Sequence, residues 1–213
     1  MDLGLDNILN DVVVVLWSGG LDSTGMIVIL LKEYKCKIFP IFVKHEQDNI
    51  KSEEKSVDDY AKIFCRDFND RFREPLKVST SIPAPEFKQQ NFEERHALRN
   101  SDLINNAVRY GLEKGVFTIL IATLVDDFPD GKLSYLQAKQ TEINAGTNKN
   151  FNLISPFFDE KFPCISKSSL IKYCKNVSYP LDSTWSCWDS SESPCGECYP
   201  CNSRKKAFSA ANL

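Results

Sequence analysis

Seven consecutive residues near the start of the sequence, SGGLDST at positions 18–24, are of types that bind phosphate. Two glycines permit a tight turn and let backbone N–H groups approach a ligand closely. Hydroxyl groups follow where a helix is predicted to begin, and a helix N-terminus attracts anions. A carboxylate among them indicates Mg²⁺ between protein and phosphate, as in nucleotide sites. The candidate residues are Ser18, Gly19, Gly20, Leu21, Asp22, Ser23 and Thr24.

This loop differs from two common phosphate-binding motifs. It has neither the Gly-Lys-Ser/Thr ending of a Walker A loop nor the spacing of a G-x-G-x-x-G loop. A glycine turn capped by Ser or Asp, with no ligand, is the alternative interpretation. The position of the whole string between a predicted buried strand and a predicted helix favours the phosphate site.

A second group of reactive residues lies near the end of the chain. It consists of Cys187, Cys195, Cys198 and Cys201, which lie within a stretch of fifteen residues. Two overlapping C-x-x-C turns and a more distant thiol can place four sulfur atoms tetrahedrally around Zn²⁺. A redox pair and four unrelated reduced thiols are the alternatives. The spacing favours structural zinc, which would stabilise a segment too small to have its own core.

The other cysteines and the two histidines are assigned no chemistry. Isolated cysteines among apolar neighbours behave as small core residues. The histidines are expected to make polar contacts near the site rather than to bind metal. These residues are Cys36, Cys65, Cys164, Cys174, His45 and His96.

Alternating strands and helices are predicted to position both groups. Continuous apolar or β-branched runs indicate buried strands, and apolar residues at helical spacing indicate helices. The alternation predicts an α/β fold with a doubly wound parallel sheet, in which ligands bind at the carboxyl ends of strands. The predicted strands cover residues 11–17, 36–43, 76–81 and 116–125, and the predicted helices cover residues 25–34, 53–68, 93–114, 132–143 and 166–175.

Composition limits the class of protein. The chain has 213 residues, 42% of them hydrophobic, and a formal charge of −3, so nothing indicates general attraction to nucleic acid or membrane. Neither a secretory signal nor an apolar run of membrane-spanning length is recognisable, which predicts a cytoplasmic protein. Reduced thiols in that compartment favour a metal over disulfides. We expect one α/β domain over residues 1–185 and a zinc-binding segment over residues 186–213.

The loop and the cysteine cluster together resemble the 7-cyano-7-deazaguanine synthase family, which belongs to the N-type ATP pyrophosphatases. The motifs that carry the resemblance are SGGLDST at one end and TWSCW followed by PCGECYPCNSR at the other. The resemblance implies an adenine-nucleotide α-hydrolase-like fold, ATP and Mg²⁺ as cofactors, four cysteine ligands to Zn²⁺, and a homodimer. The implied reaction adenylates 7-carboxy-7-deazaguanine, forms the amide with ammonia, and dehydrates it to the nitrile.

The same resemblance suggests residues at the reaction centre. Lys167 matches a lysine near the reacting atoms and joins Asp22 as a catalytic candidate, while Arg99 and Asn100 match a pair that opens a helix. Asp127 and Asp130 match part of a substrate-binding loop. A carboxylate suits the donor edge of a guanine-like ring, although both aspartates could instead cap a turn and a helix.

The substrate region departs from the family pattern. Family members have additional residues between the positions of Phe128 and Pro129, which are adjacent here, so the substrate loop is shortened. The family's Cys-Arg that follows is replaced by Gly131-Lys132. The second strand ends in Lys44-His45-Glu46-Gln47, which also differs from the family pattern. An open acyl site could admit an amine larger than ammonia. Transfer of the activated acyl group to an amine of a partner protein is therefore an alternative.

Two further alternatives involve nucleic acid. One is a tRNA-modifying ATP pyrophosphatase, and the other is a zinc-ribbon nucleic-acid-binding module. Only Arg204-Lys205-Lys206 beside the cysteines supports the second, and three basic residues are more typical of a solvated helix face or of phosphate contacts. The chain has no basic stripe, which argues against both.

Overall fold

Five strands form a parallel sheet in the computed structural model, which describes residue 8 and residues 11–45, 47–81, 97–124, 129–189 and 193–212. The sheet order is β3-β2-β1-β4-β5. The central strand β1 is made of β-branched and leucine residues that suit burial on both faces. The strands are β1 Val12–Leu16, β2 Lys37–Lys44, β3 Leu76–Ser79, β4 Thr118–Leu120 and β5 Asn152–Ile154.

Helices cover both faces of this sheet. Val13 and Val15 face one core cluster, which includes residues of α1, α2, α5 and α6, whereas Val14 and Leu16 face a second cluster with α3 and α4. The predicted doubly wound α/β fold is therefore confirmed. The helices are α1 Leu21–Lys32, α2 Ile50–Asp67, α3 Arg99–Lys114, α4 Leu133–Thr147, α5 Lys167–Asn176 and α6 Tyr199–Ala210, with short 3₁₀ turns at Pro129–Gly131 and Pro156–Phe158.

Pro40 lies in the middle of β2 without interrupting the sheet. Lys37 donates its N–H to Asp11 before β1, while Ile38 donates toward the opposite side of β2, to Arg71. Alternate residues of a strand direct their N–H groups to the same side, so the missing N–H of Pro40 would face the β3 side, as that of Ile38 does. Pairing with β3 starts only at Leu76, which lies opposite Ile41. The proline costs no ladder bond for that reason.

Two regular elements near the end of the chain were not predicted. The strand β5 has three residues, too few to show a pattern, and pairs in parallel with β4. The helix α6 begins directly after Cys198 and contains Cys201, in a stretch without clear helical periodicity, and its Ala207 belongs to the core cluster on one face of the sheet. The cysteine segment is thus packed on the α/β core, although its boundary at residue 186 stays a prediction.

The strand order reverses beside β1. From β1 the chain proceeds to β2 and β3 on one side, and later to β4 and β5 on the other. Helices therefore leave the carboxyl ends of β1 and β4 in opposite directions and open a crevice between them. In the part of the chain that the structure describes, no helix has the length and apolarity to span a membrane.

Close packing of α1 on α5 makes a prediction about Gly25. A Cβ atom there would lie 2.6 Å from the side chain of Leu170, whereas a Cβ on Gly146 in α4 would meet nothing within 4 Å. We expect Gly25→Ala to lower the free energy of unfolding by about 1–3 kcal/mol. The control Gly146→Ala should raise it by about 0.5–1 kcal/mol, because alanine favours helix. Urea unfolding measures both, and equal effects would contradict the packing argument.

Candidate functional site

The loop between β1 and α1 turns at Gly19, whose φ of 72° lies in the left-handed region. The carbonyl oxygen of Gly19 accepts hydrogen bonds from Ser56 Oγ at 2.7 Å and from the Trp185 N–H at 3.2 Å. A Cβ atom at this position would lie 2.8 Å from the carbonyl oxygen of Glu53. Both the backbone angle and the approach of α2 therefore require glycine here.

Hydroxyl groups of the loop converge beyond this turn. Ser18 Oγ lies 3.1 Å from Ser23 Oγ, and the Gly20 N–H donates to Ser18 Oγ at 3.3 Å. Thr24 is placed differently from the expectation, because it is fully buried and its Oγ1 accepts a hydrogen bond from Trp17 Nε1 at 2.9 Å. Ser18, Gly20 and Ser23 line a cavity at the loop, while Thr24 instead anchors α1 to the core.

Asp22, in the first turn of α1, forms an ion pair with Lys167, the first residue of α5. The two residues are 145 positions apart in the sequence and both line the cavity. Ser166 positions this end of α5 through a capping box with Ser169. Both predicted catalytic residues are therefore together at the glycine loop between β1 and α1.

The cavity has a volume of about 700 Å³ and lies at the carboxyl ends of β1, β2 and β4. Leu16, Val43 and Ile121 line it at those three strands. This is the crevice where ligands bind in doubly wound sheets. Trp188 and Tyr199, from the cysteine segment, line it from the opposite direction.

Three buried polar atoms at the cavity lack a hydrogen-bond partner among the described residues. They are Asp22 Oδ1, Arg99 Nε and Thr123 Oγ1. Thr123 follows β4 and is only 4% exposed. A buried polar atom without a partner costs about 1–3 kcal/mol. Three of them around one cavity, an acceptor and two donors, indicate that a polar ligand completes their hydrogen bonding.

A half-buried carboxylate contributes to the same wall. Glu53 accepts hydrogen bonds from Gln47 at 2.9 Å and from Asn49 at 3.0 Å. Burial raises the pKa of Glu53, and these two hydrogen bonds and the charge of Arg99 oppose the rise. Arg99 therefore has a negative neighbour at the cavity as well as its unpaired Nε.

The predicted substrate-binding residues have different positions. Arg99 and Asn100 line the cavity at the start of α3, as expected for a pair that opens a helix. Asp130 does not line it, because its carboxylate accepts from the Asn100 N–H at 2.8 Å and from Asn100 Nδ2 at 3.3 Å. Asp130 thus caps α3, the alternative that the sequence left open. Asp127 and His96 lie outside the described residues.

The cysteine cluster has the geometry of a metal site. The Sγ atoms of Cys187, Cys195, Cys198 and Cys201 all lie within 4.8 Å of one another. Cys187 Sγ is 3.5 Å from Cys195 Sγ and 3.9 Å from Cys198 Sγ, and Cys195 Sγ is 4.0 Å from Cys201 Sγ. Four thiolates around a tetrahedral ion would lie about 3.8 Å apart, so the residues fit a bound metal.

Thiol ionisation in the cluster is uneven. Backbone N–H groups of Glu197 and Cys198 lower the pKa of Cys195 to about 7, whereas burial raises the pKa of Cys201 to about 12. Holding Cys201 as a thiolate therefore needs the charge of a metal ion. Outside the cluster, burial raises the pKa of Cys36 to about 12, in agreement with an inert core thiol.

Several residues of the site were not found by sequence reasoning. Thr123, Asn49 and Glu53 belong to no recognisable motif, and only the fold brings them to the loop. Trp185 lies in the TWSCW motif and Gln47 in the stretch after the second strand, but sequence reasoning assigned neither of them a role. For Thr123, its position after a strand next to β1 was an available signal.

Arg204 was assigned to a solvated helix face or to phosphate contacts. Its guanidinium instead donates to Thr184 Oγ1 at 2.6 Å and to the carbonyl oxygens of Leu181 at 3.0 Å and Asp182 at 2.8 Å. Arg204 therefore holds the segment that precedes the cysteines, and it contributes little to a nucleic-acid surface.

Comparisons with known proteins agree with this fold. The parallel sheet with helices on both faces is the α/β fold of PP-loop ATP pyrophosphatase-like proteins. The chain belongs to the QueC family, since the family model "Queuosine biosynthesis protein QueC" matches residues 12–212. The fold and the family support an ATP-using enzyme.

Individual relatives are distant. A 7-cyano-7-deazaguanine synthase of Campylobacter hominis is 26% identical over 92% of this chain and 93% of its own length. One of Aquifex aeolicus is 25% identical over 93% of this chain and 97% of its own length. A solved 4-thiouridine synthetase–RNA complex with bound ATP has the same fold, with a TM-score of 0.58 at 14% identity. The similarity covers 94% of this chain but half of that one.

The two glycines of the loop make a matched test. Gly19→Ala should reduce ATP binding at least tenfold, because the side chain forces the turn away from φ of 72° and against α2. Gly20→Ala should reduce it much less, since Gly20 has φ of −74° and a Cβ there approaches Ser18 Oγ at 3.1 Å. Equilibrium dialysis with labelled ATP measures both. A larger loss for Gly20→Ala would contradict this account of the turn.

The cluster predicts one metal ion per chain. Elemental analysis of purified protein should find it, and Cys201→Ser should lower both the metal content and the melting temperature. Cys65→Ser, at a half-buried thiol outside the cluster, is the control that should leave the metal content unchanged. Metal-free protein with four freely titratable thiols would contradict the assignment.

Proposed function

We propose that the protein is an ATP-dependent enzyme that adenylates the carboxylate of 7-carboxy-7-deazaguanine or a close analogue, and that it converts the acid with ammonia to the amide and then the nitrile. One observation carries the proposal. The glycine loop, the Asp22–Lys167 pair, and the unpaired atoms Arg99 Nε and Thr123 Oγ1 surround a single cavity at the reversal of strand order. The names of the relatives support the choice of acid.

The phosphates of ATP are assigned to the loop. The backbone of Gly20 and the hydroxyls of Ser18 and Ser23 hold them at the N-terminus of α1, where the helix dipole favours negative charge. Asp22 Oδ1 is a buried acceptor without a partner at the cavity, which is the group that a Mg²⁺ ion would use. Bound there, Mg²⁺ would neutralise charge on the phosphates.

Adenylation makes a poor electrophile reactive. A carboxylate oxygen of the acid attacks the α-phosphorus of ATP, the bond from that phosphorus to the bridging oxygen breaks, and pyrophosphate leaves. Lys167, which borders both the loop and the cavity, is placed to stabilise the negative charge that develops on the leaving group. Ammonia then attacks the acyl carbon and AMP departs, which leaves the amide.

The nitrile requires a second activation of the same kind. The amide oxygen attacks the α-phosphorus of a second ATP, and pyrophosphate leaves. Loss of AMP with two protons from nitrogen then gives the carbon–nitrogen triple bond. The protein supplies positioning and charge neutralisation in both rounds, so one set of residues serves both.

The acid is assigned to the side of the cavity formed by α3 and β4. Arg99 Nε and Thr123 Oγ1 provide donors for its carboxylate or ring oxygen. Asn100 and Asp130 act as positioning residues, because their mutual hydrogen bonds hold the start of α3 and with it Arg99. Asp127 stays a candidate for the donor edge of the ring.

The metal in the cysteine cluster is proposed to be zinc in a structural site. Four thiolates complete a tetrahedral shell and leave no open position for a reactant. An iron–sulfur cluster also uses four cysteines, so the metal analysis must include iron and the visible absorbance. The homodimer implied by the resemblance stays a prediction.

Transfer of the acyl group to an amine of a partner protein is the second candidate. Three exposed apolar side chains line the cavity: Ile165, Trp188 and Tyr199, with exposed fractions of 56%, 40% and 68%. A cavity entrance with exposed apolar side chains favours contact with the surface of a partner protein, whereas ammonia needs no such contact. The shortened loop before Pro129 favours the same reading.

The decisive experiment incubates the protein with ATP, Mg²⁺ and 7-carboxy-7-deazaguanine, with and without ammonia, and identifies products by mass spectrometry. We expect AMP, pyrophosphate and, with ammonia, 7-cyano-7-deazaguanine. Formation of ADP and phosphate would contradict adenylation. If ammonia gives no nitrile and only an added protein gains the acyl mass, the second candidate replaces the first.

Variants connect this activity to the site. Asp22→Asn should reduce acid-dependent pyrophosphate release by about 10²–10³-fold, as for the loss of one electrostatic contact in a transition state. Asp58→Asn is the matched control, since Asp58 forms an ion pair with Lys77 on the surface at 2.6 Å. Equal effects of the two changes would remove Asp22 from the reaction.

A further inference from the structure

The metal cluster and the phosphate-binding loop are directly connected by hydrogen bonds. The backbone N–H of Trp185 donates to the carbonyl oxygen of Gly19 at 3.2 Å. The indole Nε1 of the same residue donates to the carbonyl oxygen of Cys187 at 2.8 Å. Trp185 therefore bonds on one side to the turn of the loop and on the other to a residue of the metal cluster.

A second route joins the same two places through α2. Asn49, just before this helix, donates its Nδ2 to the Cys187 carbonyl oxygen at 2.6 Å. Ser56, two turns further along, donates its Oγ to the Gly19 carbonyl oxygen at 2.7 Å. Both residues are buried, with exposed fractions of 4% and 3%, so water does not readily replace these bonds.

Both routes reach the loop at Gly19, where the backbone conformation and the close approach of α2 require glycine. The Gly19 backbone has a positive φ, and its carbonyl oxygen accepts both donors. Movement of Trp185 would leave that carbonyl with only Ser56 as a partner and would release one side of the turn. The neighbouring N–H of Gly20, which we assign to phosphate, depends on the orientation of this turn.

We infer that Trp185 is a positioning residue that couples metal binding in the cysteine cluster to nucleotide binding in the loop. A metal bound to Cys187 would hold Cys187 in place. The carbonyl oxygen of Cys187 then fixes the indole of Trp185, which donates a hydrogen bond to it. The loop is thereby held in the form that accepts phosphate. The inference rests on the proposed ATP site, and it replaces the simpler view of the metal segment as an independent stabiliser.

Thermodynamic reciprocity supplies the readout. If the metal favours nucleotide binding, then bound nucleotide must favour metal retention by the same factor. The test is therefore the equilibrium Kd for the metal, measured on the full-length protein by competition with a chelator of known affinity. It is measured with and without saturating Mg²⁺ and α,β-methylene ATP, an analogue that cannot transfer its adenylyl group to an acid.

We expect the nucleotide to lower the Kd for the metal about tenfold in the natural protein, a coupling in the usual range. Trp185→Phe keeps an aromatic ring and the backbone N–H but removes the indole donor, so the effect should fall to about threefold, carried by Asn49. Tyr179→Phe, which removes one aromatic hydrogen bond to Asp67 at the surface, is the control and should keep the full effect.

Because nucleotide is saturating, a variant that merely binds it more weakly shows an unchanged ratio of the two metal Kd values, and a merely destabilised variant has both Kd values raised by the same factor. An unchanged ratio in Trp185→Phe, or a ratio of one in the natural protein, overturns the inference. If Trp185→Phe fails to fold, the natural protein still tests the coupling, because a ratio of one overturns it. Equilibrium dialysis separates the two proposals, since absence of nucleotide binding overturns the ATP site itself, whereas nucleotide binding that leaves the metal Kd unchanged overturns only the coupling.

Discussion

The turn at Gly19 is the constraint on which the arrangement of the site depends. Its carbonyl oxygen is held by Ser56 of α2 and by Trp185 before the cysteine cluster, and its Cα lies against the backbone of Glu53. Three distant parts of the chain therefore meet at one peptide unit. A side chain at this position would separate α2 from β1 and remove the wall that contains Glu53.

Buried polar groups at the resulting cavity are incompletely paired. Such groups are nearly always hydrogen-bonded, yet among the described residues Asp22, Arg99 and Thr123 each have an unpaired atom at this crevice. A ligand with both negative charge and polar edges would satisfy them. ATP and a purine-like acid, the ligands of the proposed function, together have those properties.

How far the fold could be predicted depended on the length and pattern of each element. The strand β1 was clear because a run of four valines and a leucine favours a buried strand. The strand β5 and the helix α6 were missed, since three residues show no periodicity and α6 begins inside a cysteine-rich stretch that resembles a loop. Packing on β4 and on the core decides these elements, and such contacts are not local in sequence.

The same division holds for the site. The sequence by itself determined the loop SGGLDST and the four clustered cysteines, because each motif is local and its chemistry depends on residue types at short spacing. Only the tertiary structure decided that Thr24 and Asp130 turn toward internal partners, and that Thr123 is left with an unpaired hydroxyl at the cavity. It also decided that Trp185 joins the loop to the cysteines. A side chain's partner depends on which elements pack beside it, and that follows from the sheet order and its reversal rather than from neighbours in the chain.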